Sequence, residues 1–336
     1  MSDISQTPGP VLTAPRSPAQ RLMNSITGSP TAAIFIALLV SCVVMSILSD
    51  RFFTASNITN ILSQSAVVGI AAVGGTLVII TGGIDLSVGS IIGLAGLLSA
   101  VFVQNGLPGP LAIIAALIIG ASIGAFNGFS ITVLRLVPFI LTLATLGMAR
   151  GLTLQISQGQ SVYGLPADFT FLGSTIGGVP IPVILTILTF AIGHLVLTRT
   201  TLGHQIFAVG GNREAARLAG IRVSAVTFWV YVIAGFCAGL AALVLVGRLG
   251  SATPGGGGGI ELQVIAAIVI GGTSLFGGKG SMIGTLVGVL LIGVINNGLV
   301  LLNVSPYWIQ FVQGALIFVA IMIDAINTRL GSRRSR

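Results

Sequence analysis

Apolar residues occupy this chain in long unbroken runs, without helical or strand periodicity. The runs fall near 31–48, 61–80, 88–104, 110–130, 137–156, 180–197, 223–246, 261–276, 281–302 and 308–327. Each approaches the roughly 20 residues an α-helix needs to cross a bilayer. The weak ten-residue alternation of a membrane β-barrel is absent. The pattern predicts an all-α integral membrane protein with about ten transmembrane helices. Short runs around Gly82 and Gly277 leave eight or nine spans open, one segment then being re-entrant. The first run is too long for most signal-peptide cores and has no small-residue cleavage site behind it, so it reads as an uncleaved span.

Composition agrees. The 336 residues are 54% hydrophobic and 7% charged, against about 25% charged in a globular domain. The 47 glycines suit helices that approach closely in lipid. With the N-terminus inside, twelve basic residues fall on the cytoplasmic side: Arg16, Arg21, Arg135, Arg199, Arg213, Arg217, Arg222, Lys279, Arg329, Arg333, Arg334 and Arg336. Only Arg51 and Arg248 fall outside, and Arg150 lies within a span. This asymmetry places both termini in the cytoplasm. It also accounts for the basic balance without a nucleic-acid partner. Residues 1–30, rich in Ser, Pro and Thr, read as a disordered cytoplasmic tail. Residues 31–328 form the transmembrane domain, with a cytoplasmic loop at 198–222, and 329–336 form a basic cytoplasmic tail. The longest outer segment, 157–179, has room for a short surface helix and not for a catalytic domain.

The charges that remain are concentrated. Arg199 to Arg222 carries four arginines, His204 and Glu214, one of two glutamates in the chain. Within it, Asn212 can cap a short helix, Glu214 sits in the first turn, Ala215 and Ala216 keep it thin, and Gly220 ends it. Arg213, Arg217 and Arg222 form a charged rim suited to a soluble partner; an amphipathic helix lying on anionic lipid is the alternative. Asp85, in IITGGIDLSVGS, is a carboxylate flanked by apolar spans. Two roles are open: with Ser87 it caps the following helix after a break at Gly82 and Gly83, or it meets a solute or partner. Asn127, Asn296 and Asn297 can hydrogen-bond a polar solute or a neighbouring helix. Glu261, after the glycines 255–259, reads as a first-turn acid. Gly120, Gly124 and Gly128, Gly235 and Gly239, and Gly284 and Gly288 hold the spacing of close helix crossings. The segments from Gly82 to Gly93 and from Gly271 to Gly284 echo one another, as a parallel repeat would.

Enzymatic signals fail. Gly277-Gly278-Lys279 lacks the first glycine of a phosphate-binding loop, and Gly280 stands where magnesium would need Ser or Thr. Ser274 and His194 have no supporting nucleophile-and-base pattern. Intramembrane ionisable groups are few for an ion-coupled carrier. A permease driven by a separate motor and a passive channel or ion-coupled carrier of small polar solutes both remain open.

The sequence Glu214-Ala215-Ala216-x-x-x-Gly220 resembles the coupling loop of ABC importer permeases. Gly82 to Ser90 (GGIDLSVGS), Gly271 to Gly280 (GGTSLFGGKG) and Asn296-Asn297-Gly298 resemble the ribose-type permeases of monosaccharide ABC importers, over about 31–328. The resemblance implies an ABC importer permease fold in the bacterial inner membrane. It implies an ATP-binding cassette ATPase docking on Asn212, Arg213, Glu214, Ala215, Ala216, Arg217 and Gly220. A periplasmic sugar-binding protein and a second permease, identical or related, would complete the importer. Gly82, Gly83, Asp85, Ser87, Asn127, Asn296 and Asn297 are then candidates for the pathway. ATP and magnesium are expected on the ATPase, with no cofactor and no catalytic residue in this chain.

Overall fold

The structure is a computed structural model that describes residues 30–334. The expected tail at 1–30 lies, up to residue 29, outside the described residues. The helices run α1 Pro30–Leu48, α2 Ala55–Ile80, α3 Val88–Gln104, α4 Gly109–Thr132, α5 Pro138–Ser157, α6 Ala167–Thr170, α7 Ile181–Arg199, α8 Thr201–Gly211, α9 Arg213–Leu218, α10 Val223–Leu249, α11 Ile260–Ile270, α12 Met282–Leu301 and α13 Pro306–Arg334. A two-stranded hairpin, β1 Thr175–Ile176 with β2 Val179–Pro180, precedes α7. Among the described residues, seven helices are long and apolar enough to cross a bilayer: α1, α2, α4, α5, α7, α10 and α12. Helices α3 and α11 and the first part of α13 are apolar but shorter. Each of the ten apolar runs therefore coincides with a helix, except that the run expected at 261–276 is helical only to Ile270, where Gly271 and Gly272 end it in a turn.

Helix α2 is the centre of the bundle and is almost wholly buried, with α10 and α12 mostly buried around it. Helices α1, α4, α5 and α7 turn large apolar side chains outward, among them Ile47, Ile118, Ile140 and Ile187. That is the arrangement lipid requires, since lipid gives apolar surface no reason to be hidden.

What joins the helices is backbone contact. Gly120 and Gly124 of α4 lie against Gly235 and Gly239 of α10, and a methyl group added at Gly235 would collide with the Gly120 carbonyl. Gly284 and Gly288 of α12 pack in the same way on Gly271 and Ala267 of α11. These spacings serve packing within one chain, as the sequence indicated.

One end of the bundle is closed by the segment 157–180. Phe169 and Leu172 are buried among Leu97, Ala112 and Leu243. Asp168 accepts a hydrogen bond from the Gly109 amide at the start of α4 (3.2 Å). Val162 and Ala252 exchange backbone hydrogen bonds of 2.8 and 3.0 Å.

Helices α3 and α11 do not begin at a bundle end. Residues 83–87 form no regular secondary structure, and α3 starts only at Val88. Helix α11 has 11 residues, about 16 Å at 1.5 Å per residue, or roughly half the ~30 Å core. Its first turn places Glu261 against Gly89 of α3, and its end packs on Gly284 at the start of α12. Two helices therefore start in the interior, α3 reached by irregular chain mostly buried in protein, the setting in which such chain is tolerated at membrane depth, and α11 by a partly exposed glycine loop.

The glycine contacts make a direct prediction. Gly235→Ala should destabilise the α4–α10 pair by about 1–3 kcal/mol or more, because backbone atoms cannot move aside as side chains do. Thermal unfolding in detergent checks this; an unchanged midpoint would show that the two helices do not approach so closely.

Candidate coupling and pathway site

The charged loop folds as expected and gains a platform. Thr200 starts α8, its hydroxyl accepting from the Gly203 amide at 3.2 Å. Asn212 ends α8 and caps α9: its Oδ1 accepts from the amides of Glu214 and Ala215, both at 3.0 Å. Helix α9 ends in a left-handed turn at Gly220 (φ 84°). There the Gly220 amide donates to Arg217 O and the Ile221 amide to Ala216 O, both at 3.0 Å. This paired closure satisfies the last carbonyls and favours glycine at that position.

Ala216 is buried, whereas Glu214, Ala215, Arg217 and Leu218 are exposed. Arg217 donates to both carboxylate oxygens of Glu214, at 2.6 and 3.1 Å. That pairing holds the Glu214 carboxyl below its ordinary value and raises the Arg217 guanidinium. Leu218, 75% exposed, adds an apolar knob to the charged surface. Sequence reading passed over it, and an exposed leucine beside capped charges was the signal available.

Behind α9, the end of α8 rests on the junction of the two glycine segments. The Gly278 amide donates to Ile80 O at the end of α2 (2.8 Å). Gly277 lies against Gly82, and Gly210 fits against Ile80 O and the Gly278 amide with no room for a methyl group. The two segments end their helices alike. Gly82 and Gly272 take positive φ (76° and 86°). The following amides, of Gly83 and Thr273, reach back to Val78 O and Ile268 O at 3.0 and 3.2 Å. The structural echo therefore pairs Gly82 with Gly272, one residue from the register suggested by the letters.

Beyond Gly83 the chain is held by a chain of polar groups. Asp85 Oδ1 accepts from the Ser87 amide (2.8 Å) and from its hydroxyl (2.5 Å). Asn127 of α4 donates to Ser87 Oγ at 2.9 Å, and Thr145 of α5 donates to Asn127 Oδ1 at 2.7 Å. Tyr231 of α10 donates to Ile84 O at 3.3 Å. Thr142 donates to Ile84 O and accepts from the Leu86 amide, both at 3.2 Å. Asp85 Oδ2 is buried without a hydrogen-bond partner.

Asp85 thus shapes the segment rather than capping α3 by bonding its first-turn amides, and Ser87 makes no side-chain cap bond either. Gly82, Gly83, Asp85, Ser87 and Asn127 come together in one region. Asn296 and Asn297 do not join them. Asn297 and Asn57 exchange amide hydrogen bonds of 3.0 and 2.9 Å, locking α12 to α2. Asn296 accepts from Gln313 of α13 at 3.1 Å and lines a cleft with Gln64 and Gln263.

The arrangement joins a short exposed helix, through α8, by backbone contact to the chain that follows α2 and α11. Residues 57–321 match the family described as branched-chain amino acid transport system / permease component. The chain is 44% identical over 293 residues to the ribose import permease protein of Bacillus subtilis strain 168, covering 86% of this chain and 91% of that one. It is 45% identical over 296 residues to the ribose import permease protein of Escherichia coli K12, covering 86% and 92%. It is 41% identical over 297 residues to the D-allose transport system permease protein of the same organism, covering 88% and 91%. No solved structure gives a significant match. Fold and matches together define a multi-pass membrane permease. Within that class, the chain belongs to the family of monosaccharide ABC importer permeases. It is a transport subunit and not an enzyme.

Two outcomes follow from the platform. Gly210→Ala should lower stability by about 1–3 kcal/mol or more through overpacking on backbone, whereas Gly211→Ala, with open space around it, should not; paired thermal melts in detergent compare them. The Glu214–Arg217 pair should be intact at neutral pH. Because the folded carboxyl lies below its unfolded value, the pair's small contribution is present above the unfolded value and fades as pH falls through the folded one. An NMR titration of Glu214 with an ordinary or raised midpoint would contradict the pairing.

Proposed function

We propose that this chain forms the translocation pathway of an ATP-driven importer of a monosaccharide, a pentose or a hexose, in the bacterial inner membrane. The relatives named for ribose and allose support the substrate class. The observation that carries the coupling half is the seating of α9. It is exposed on its outer face and anchored behind by Gly210 to both glycine segments.

In this reading an ATP-binding cassette ATPase docks on Asn212, Arg213, Glu214, Ala215, Ala216, Arg217 and Gly220, with Leu218 as an apolar anchor. The ATPase holds ATP and magnesium, and this chain holds no cofactor. ATP binding closes the ATPases and displaces α9. Because Gly210, Ile80 and Gly278 touch through backbone, the displacement passes to the ends of α2 and α11 without side-chain slack. Packed elements of this kind switch between discrete arrangements rather than deform smoothly. The segment at Gly82, Gly83, Asp85, Ser87 and Asn127 then changes access to the pathway. Asn296 and Asn297 serve chiefly to hold α12 against α2 and α13.

The topology in this reading is ten spans with both termini in the cytoplasm. The transmembrane domain is 31–328, with coupling loop 198–222, flanked by tails at 1–30 and 329–336. The basic residues support this orientation. A periplasmic sugar-binding protein delivers the solute to the outer face, and a second permease, another copy of this chain or a related one, completes the importer.

The double substitution Glu214→Ala with Gly220→Asp tests the coupling. It should leave membrane insertion intact and abolish ATP-driven sugar uptake in cells. Normal uptake by that variant would sink the loop assignment. Uptake that survives ATP depletion but collapses with the proton gradient would overturn the motor-driven reading in favour of an ion-coupled carrier.

A further inference from the structure

A shallow open cleft with a cavity volume of about 20 Å³ lies where α3 and α11 begin. Its walls include Ser90 and Gly93 of α3, Arg150 and Thr153 of α5, Gly256 of the preceding loop and Glu261 of α11. The two charged groups are held differently. Glu261 Oε1 accepts from the Gly259 amide at 3.3 Å, and Oε2 lies against Gly89 in the first turn of α3. The carboxylate therefore sits between the N-terminal ends of two helices, whose partial positive charges offset its own.

Arg150 has no such compensation. It is exposed in the single chain and makes no hydrogen bond or ion pair with the described residues. It stands roughly 18 Å along α5 from Pro138 at 1.5 Å per residue, near the middle of a ~30 Å core. A guanidinium at that depth is costly unless it faces a polar cavity or a partner, which makes it a functional candidate. Its nearest polar surroundings are this cleft.

The chemistry of the walls limits what they can hold. Arg150 offers fixed donors and no acceptor, and Glu261 offers acceptors. The hydroxyls of Ser90 and Thr153 donate to Ser87 O and Ala149 O, both at 2.8 Å, and keep lone pairs for an incoming donor. The glycine wall brings backbone close. One positive and one negative charge leave the cleft neutral overall, so an anion meets Glu261 and a cation meets Arg150. A neutral molecule carrying several groups that both donate and accept meets no such opposition.

We propose that, as the pathway opens, this cleft widens into a solute station, where Arg150 donates to, and Glu261 accepts from, the hydroxyls of a neutral polyhydroxylated solute. The proposal rests on the permease reading above and adds to it the groups that touch the cargo.

The test uses the whole importer, this chain with its ATPase and binding protein, reconstituted in proteoliposomes containing ATP, with radiolabelled D-ribose and D-allose as probes. Arg150→Gln and Glu261→Gln should each slow uptake by about tenfold or more, the loss expected when one charged hydrogen bond is removed. The ratio of ribose to allose uptake should shift as well, which a merely structural fault would not produce. Size-exclusion chromatography should show the subunits still assembled. Should Glu261→Gln not accumulate, Arg150→Gln decides alone, since Arg150 makes no contact that folding needs. Unchanged uptake and an unchanged ratio in an active importer would overturn the station and leave the permease reading standing. Failure of the unaltered complex to take up either sugar would overturn the permease reading and the station with it.

Discussion

Everything in this structure depends on places where backbone touches backbone and no side chain fits. Lipid supplies no hydrophobic drive to hold helices together, so association relies on close packing. Here it is met by glycine against carbonyl: Gly235 on Gly120, Gly288 on Ala267, Gly210 on Ile80. The first two hold the bundle. The third lies under the exposed helix α9 and adds a mechanical consequence. A contact made by flexible side chains can absorb a displacement of an ångström by changing rotamers, whereas one made by main chain passes it on. In the proposed cycle this makes the α8–α9 unit a stiff lever bearing on both interrupted spans.

The interrupted spans themselves follow from polar satisfaction. Non-helical chain at membrane depth leaves amides and carbonyls without helical partners, and each must find another. Between Ile84 and Ser87 those partners come from Thr142, Tyr231 and Asp85, with Asn127 and Thr145 continuing the chain of bonds. A charged residue here therefore has an architectural job whatever else it does. Its second oxygen is buried without a partner.

Much of this was legible in the sequence, and the residues show why. Ten apolar runs marked ten helices because length and apolarity are one-dimensional properties. Asn212 and Gly220 announced the ends of α9 because capping is local. The four-residue glycine spacings announced close crossings. What stayed hidden was depth and pairing. Hydropathy shows that α11 is apolar but not that it begins beside Gly89, since a half-span and a full span read alike over 11 residues. Asn297 facing Asn57, 240 residues away, has no local signature. The meeting of Gly278 with Ile80 and Gly210 is a product of the whole fold, so the two glycine segments could be seen to echo one another but not to touch. Arg150 looked like an oddity within a span until the structure put a polar cleft beside it.

The measurement that bears most directly on the central claim is purification of the tagged chain from native membranes in mild detergent, with every copurifying protein identified by mass spectrometry. The account predicts a stoichiometric ATPase that is retained by the unaltered chain and lost when α9 and the turn after it carry Glu214→Ala and Gly220→Asp. A permease that comes out without any ATPase, from membranes that still take up sugar, would contradict it.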